Sequence, residues 1–146
     1  MCLTWYESEA TLRGAAAGSR PRRNGSTRLA GRRRRSIQGA TWHDAKANVV
    51  DSLGPNRVGS YPTGASWVGA LDTAGRAMEW VADWPDADYY KTSPATDPTG
   101  PTTGEIMVEK GGWWGSNEFV ARSAYQHFED PPTYGDQRIG FRVASP

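Results

Sequence analysis

From Thr41 onward no apolar piece of this chain runs far before a turn signal stops it. Gly54-Pro55-Asn56, Tyr61-Pro62, Thr63-Gly64 and Gly111-Gly112 separate fragments such as Val49-Val50 and Trp67-Val68. A chain punctuated this often cannot build long helices or long strands, so its core must come from large side chains on short elements. The sequence supplies them, with seven Trp beside 17 Gly and 10 Pro. At 146 residues and 37% hydrophobic content, one domain with a real core is the expectation. Short strands joined by long connections point to an α+β or mostly irregular fold.

The densest chemistry lies between Leu71 and Trp84, LDTAGRAMEWVADW. The spacing of Asp72, Gly75, Ala77 and Glu79 can gather two carboxylates and two main-chain carbonyls around one hard cation such as Ca²⁺, provided Gly75 permits a tight bend. The alternative is structural: Asp72 caps the turn, Glu79 is an exposed carboxylate, and Met78, Trp80 and Trp84 are core. Ala77 to Trp84 fits a short strand or a turn of helix, because Met78, Trp80 and Val81 match neither period cleanly.

Elsewhere, residues 3–11, LTWYESEAT, start a helix, with Thr4 as N-cap and Glu7 completing a capping box. From Leu12 to Gly39 no apolar period of either kind continues it, and the stretch reads as disordered. Trp84 to Pro101 reads as a Pro, Asp and Tyr loop, and Ile106 to Val108 as strand-like. Phe119 to Tyr125 and Ile139 to Val143 alternate as half-buried strands carrying Arg122 and Arg142. The single cysteine, Cys2, excludes an internal disulfide and any multi-cysteine zinc or iron–sulfur site within this chain. No run approaches the roughly 20 apolar residues of a membrane span, and the N-terminal residues lack a signal peptide pattern, so a soluble protein without a readable address is expected.

The net charge of +1 conceals an asymmetry. Residues 1–40 hold nine arginines against Glu7 and Glu9, a balance of +7, while the remainder holds eight Lys and Arg against 14 Asp and Glu, a balance of −6. One reading of Arg32 to Arg35 is a nucleic-acid-binding arm, but aromatic residues that could stack on bases are missing there. The other is that the stretch is translated out of frame. Arg23 to Gly31, RNGSTRLAG, is encodable as CGG AAT GGG AGT ACG CGG CTC GCG GGC; read one base earlier, after a G, this yields AEWEYAARG. That peptide is a good amphipathic helix, which a random shifted frame rarely supplies, and it favours the frame reading over nucleic acid as a partner.

Several pieces then match one family in order: VGSYP, DTAGRAMEWVADW, DYY, SP, DPTGP, KGGWW, ARSAY and IGFRVA. Together they resemble the C-terminal half of the formylglycine-generating enzyme family, the sulfatase-modifying-factor domain. LTWYESEA is similar to that family's helix opening TWYEA, and the shifted-frame peptide is similar to its EAEWEYAARG segment. The resemblance implies a C-type-lectin-like α+β fold with little regular secondary structure, incomplete on its N-terminal side. It divides the chain into a helix remnant over residues 1–11, the Arg-rich or frameshifted segment over 12–40, and the family domain over 41–146.

The resemblance also implies structural calcium. One site would use the Asp72 and Glu79 carboxylates with the Gly75 and Ala77 carbonyls; a second would begin at Asn48 and the Val49 carbonyl. Where the family usually has Asn this chain has Arg76, whose charge would weaken a neighbouring cation site. The family's activity oxidises a substrate cysteine to formylglycine with O₂ and a copper ion held by two cysteines that follow the Gly111-Gly112 segment. Here that segment reads WWGSNEFVARSAY, so copper and formylglycine synthesis are not expected. Iron-dependent sulfoxide synthases share the domain but hold iron with a histidine set; His43 and His127 are too few, and each is expected to be structural. Asp83, Asp86 and Asp88 beside Tyr89 and Tyr90 read as a solvated loop. The competing function is a binding module for a protein or small ligand, with Trp113, Trp114, Asn117, Tyr125 and Tyr134 as its surface; core packing is the alternative for the two tryptophans.

Overall fold

A computed structural model describes residues 2–15, 44–50, 52–66, 69–96, 98, 100–127 and 130–142. The Arg-rich segment, most of the proposed frameshift and His43 lie outside these residues.

The capping box forms as expected. The Thr4 N–H donates to Glu7 Oε2 at 2.9 Å and the Glu7 N–H donates to Thr4 Oγ1 at 3.2 Å. Leu3–Thr4 (β1) leads directly into the helix Trp5–Ala15 (α1). The helix therefore runs four residues past the expected end at Thr11, carried by Leu12, Arg13 and Ala15, whose intrinsic helix propensity is good without any apolar period.

Met78–Trp80 (β2) resolves the ambiguous stretch as strand: Met78 and Trp80 are buried and Glu79 between them is half-buried. It is the middle of a three-stranded sheet. Glu109–Lys110 (β3) pairs antiparallel to it, Glu79 opposite Lys110, and Ile139–Gly140 (β5) pairs parallel, Met78 opposite Ile139. Gly135–Asp136 (β4) pairs with β1, Leu3 opposite Asp136. One helical turn, Tyr89–Thr92 (α2), interrupts the loop expected between Trp84 and Pro101.

Three expectations shift. The strand read at Ile139 to Val143 is confined to Ile139–Gly140, with Val143 outside the described residues. The strand read at Ile106 to Val108 begins only at Glu109. Phe119 to Tyr125 is not a strand but a series of turns, because the Asn117 side chain accepts the N–H groups of Phe119 and Val120 and so coils the backbone.

Met78, Trp80, Met107 and Ile139 form the main core, with Trp5, Trp84, Trp113 and Tyr134 packed against it. Two tryptophans stitch the β1–α1 segment to β2 and the residue that follows it. Trp5 Nε1 donates to the Val81 carbonyl at 3.0 Å and Trp80 Nε1 to the Leu3 carbonyl at 3.2 Å. A second, smaller cluster of Ala47, Ala74 and Ala121 lies where backbones approach closely. There Gly75 takes a left-handed conformation (φ 70°), its N–H donates to the Gly111 carbonyl at 2.7 Å, and the Arg76 N–H donates to the Asn48 carbonyl at 3.0 Å. Among the described residues no helix is long and apolar enough to cross a membrane.

Candidate functional site

Leu71, Asp72, Arg76, Ala77 and Glu79 line an open cavity of about 430 Å³ whose wall also includes Phe141 and Arg142, just after β5. Its floor is a coiled loop. Asp72 (φ 55°) and Arg76 (φ 54°) both hold left-handed backbone conformations, uncommon for residues with a Cβ, and such conformations persist where the surroundings over-determine them. Asp72 Oδ2 accepts the Gly59 N–H at 2.8 Å and stands 3.9 Å from Arg76 Nη1. Arg142 faces Glu79 with Nη2 to Oε1 at 2.8 Å and Nε 3.2 Å from both oxygens, and it also donates to the Asp72 carbonyl at 3.3 Å. The Glu79 hydrogen bonds hold the Arg142 guanidinium above its usual pKa.

The cavity thus gathers Asp72, Glu79 and Ala77 together with the guanidiniums of Arg76 and Arg142. The oxygen donors are of the hard type calcium takes; a cation there would share Glu79 with Arg142 and Asp72 with Arg76. Gly75 is not among the described residues that line it. Neither are Asn48 and Val49, which serve the neighbouring backbone. Asn48 Nδ2 donates to the Gly54 carbonyl at 3.1 Å and its Oδ1 accepts from Asn56 at 3.2 Å, while Val49 packs on the alanine cluster.

The five residues expected as a binding surface divide. Trp113 and Tyr134 pack against the core, with the Arg138 guanidinium 5.5 Å from the Trp113 ring centre. Asn117 is exposed at the turn it caps, and Tyr125 sits edge-on to Phe119 with ring centres 5.5 Å apart. Trp114 is partly buried in the same loop. Phe119 is 56% exposed and carries the Arg122 guanidinium 5.1 Å over its ring, so the outward-facing pair is Phe119 and Arg122, with Tyr125 half-buried beside them.

A third centre had no signal in the sequence. Glu109 on β3 is 1% exposed, and burial, reinforced by the Asp130 charge, pushes its carboxyl up to about 8. Beside it, Asp136 is the opposite case. Arg138 grips it through Nε at 2.7 Å and Nη2 at 3.0 Å, with the Arg138 N–H at 2.7 Å and the Tyr134 hydroxyl at 3.2 Å adding donors. The guanidinium hydrogen bonds hold the Asp136 carboxyl down to about 2. Because its folded value lies below the ordinary one, its contribution is complete above the ordinary carboxylate range of about 4 and is lost as pH falls toward about 2. The melting temperature should therefore drop across that window, and Asp136→Asn should flatten this part of the acid limb; an unchanged limb would contradict the assignment.

Comparison with known proteins is consistent with this architecture. The family description that matches is the sulfatase-modifying factor enzyme 1-like domain, over residues 3–146. The formylglycine-generating enzyme of Streptomyces coelicolor is 31% identical over 150 residues, covering 97% of this chain and 45% of that protein. Hercynine oxygenase of Mycolicibacterium smegmatis is 32% identical over 111 residues, covering 70% of this chain and 26% of that one. Among solved structures, Treponema denticola variable protein 1 aligns with a TM-score of 0.60 at 20% identity, covering 97% of this chain and 45% of that chain, a likeness of fold alone. The chain spans less than half the length of these relatives. The expected α+β fold with little regular secondary structure is the one found, and a family match across nearly the whole length makes this chain a member of the sulfatase-modifying-factor, or formylglycine-generating enzyme, family.

Proposed function

We propose that this domain is a ligand-binding member of its family that does not itself carry out copper-dependent oxidation of cysteine to formylglycine. The observation that supports the reading is the segment after Gly112. It offers Trp113, Trp114, Phe119, Arg122 and Tyr125 where the reaction needs two soft thiolates, and Cys2, the chain's one cysteine, is exposed on the short lead into β1. An exposed aromatic ring under a guanidinium is instead the kind of surface that anchors a planar or sugar-like ligand.

Incubation with a cysteine-containing sulfatase peptide, Cu(I) and O₂ should leave the peptide mass unchanged; formylglycine in the product would refute the proposal. A glycan array should yield a signal that Phe119→Ala removes, and an array blank for both proteins would count against the binding module.

The same reading includes a structural calcium ion at Asp72, Ala77 and Glu79, with Gly75 shaping the loop, weakened by Arg76. Ca²⁺ should raise the melting temperature, Asp72→Ala should abolish the rise, and Arg76→Asn should enlarge it by removing a like charge beside the ion. A melt indifferent to chelator would end this part of the proposal.

A further inference from the structure

Glu109 is 1% exposed, and among the described residues no backbone N–H, hydroxyl, Lys or Arg group donates to its carboxylate oxygens; its polar neighbours are the Asp130 carboxyl, with which it can share a proton, and His127. An interior carboxyl without donors is stable only if it keeps its proton or meets a cation. The backbone places two further donors beside it. Glu109 and His127 form an antiparallel bridge whose two N–H to carbonyl bonds are both 3.1 Å, which turns their side chains to one face, and the Asp130 carbonyl accepts the Met107 N–H at 2.9 Å. As a result one oxygen of Glu109, one nitrogen of His127 and one oxygen of Asp130 all lie within 4.8 Å of one another, with His127 Nδ1 3.5 Å from Glu109 Oε2.

We propose that Glu109, His127 and Asp130 form a binding site for a divalent first-row transition-metal ion, with Zn²⁺ fitting the donor set best. Two carboxylates and an imidazole neutralise a doubly charged ion. The nitrogen disfavours Ca²⁺ and Mg²⁺, which take oxygen, and the lack of thiolate disfavours Cu(I). Bonds of about 2.0–2.2 Å place ligand atoms of one tetrahedral ion about 3.4 Å apart, the separation His127 Nδ1 and Glu109 Oε2 nearly have at 3.5 Å, so the Asp130 side chain is the one that closes in. Such an ion replaces the proton that burial and the Asp130 charge otherwise keep on Glu109. Arg138, whose charge acts on Glu109 in the stabilising sense, is already committed to Asp136. The His127 side chain is 20% exposed and Asp130 is partly buried, which leaves the ion a route in. Three protein donors leave a coordination position for water or a ligand, unlike a closed structural zinc.

The whole chain, stripped with chelator and titrated with Zn²⁺ in a calorimeter, should bind one equivalent and melt at higher temperature. Co²⁺ in its place should show visible absorption bands of a nitrogen- and oxygen-bound ion. Glu109→Gln keeps the shape of the protonated carboxyl and is expected to fold; it should weaken Zn²⁺ binding by about 100-fold or more, since even outer-shell partners of metal ligands are worth 10–100-fold. His127→Gln should do the same, and Asp130→Asn, at a partly exposed position, substitutes for either variant that fails to fold. Asp72→Ala should leave Zn²⁺ affinity unchanged, which separates this centre from the calcium proposal. Absence of Zn²⁺ binding by the native chain, or undiminished affinity in these variants, would overturn the site and leave Glu109 as a buried protonated acid.

Discussion

Gly75→Ala is expected to abolish the cooperative thermal melt. A Cβ at this position would overlap the Asn48 carbonyl oxygen and crowd its carbonyl carbon at 2.6 Å, and these are backbone atoms that cannot rotate aside. The left-handed φ of 70° adds strain for any residue with a Cβ. The neighbouring bonds, Gly75 N–H to the Gly111 carbonyl and Arg76 N–H to the Asn48 carbonyl, hold three stretches of chain at one crossing, so relief by backbone shift would break them. The combined cost should exceed about 4 kcal/mol, a large part of the 5–15 kcal/mol by which domains are stable. Gly54→Ala is the control, because a Cβ there meets nothing within 4 Å, and its melt should move little. Equal melts for the two variants would mean that the crossing is not where the fold is held.

The second large effect is expected at Trp80. Trp80→Ala should cost about 3–5 kcal/mol, the usual range for removing a buried aromatic. The side chain is 7% exposed in the cluster with Met78, Met107 and Ile139, and its Nε1 bond to the Leu3 carbonyl ties β1 to β2. Trp80→Phe retains most of the packing and loses the bond, so it should cost more than the roughly 1 kcal/mol of the hydrogen bond alone by the volume it also removes. Chemical denaturation resolves the two. Were Phe as damaging as Ala, the bond to Leu3 rather than the packing would be the dominant contribution.

How much of this was legible depended on whether a signal was local. Thr4 and Glu7 are three residues apart and satisfy each other's backbone and side chain, so the capping box could be read from spacing alone. Gly75 could be read as a bend, yet the reason no other residue fits is the Asn48 carbonyl, 27 positions earlier. Phe119 to Tyr125 misled because alternation describes a strand only if the backbone is free to extend. The Asn117 side chain takes two N–H groups there and coils it. Glu79 looked like an exposed or metal-bound carboxylate; its partner, Arg142, lies 63 positions away and arrives by the parallel pairing of β2 with β5.

The chain by itself determined its class: punctuation by glycine and proline forbids long elements, large aromatics such as Trp5, Trp80, Trp84 and Trp113 supply core volume, and the run of motifs from VGSYP to IGFRVA carries the family. It also determined which thiols are missing, since composition needs no fold. Only the tertiary structure decided which charged groups meet. Glu109 is an ordinary acidic residue in a turn-like stretch until the bridge to His127 buries it, and His127 reads as a lone histidine until Asp130 joins it. The physical reason is that burial and charge pairing are properties of long-range contact, and a carboxylate's chemistry is set by those contacts rather than by its neighbours along the chain.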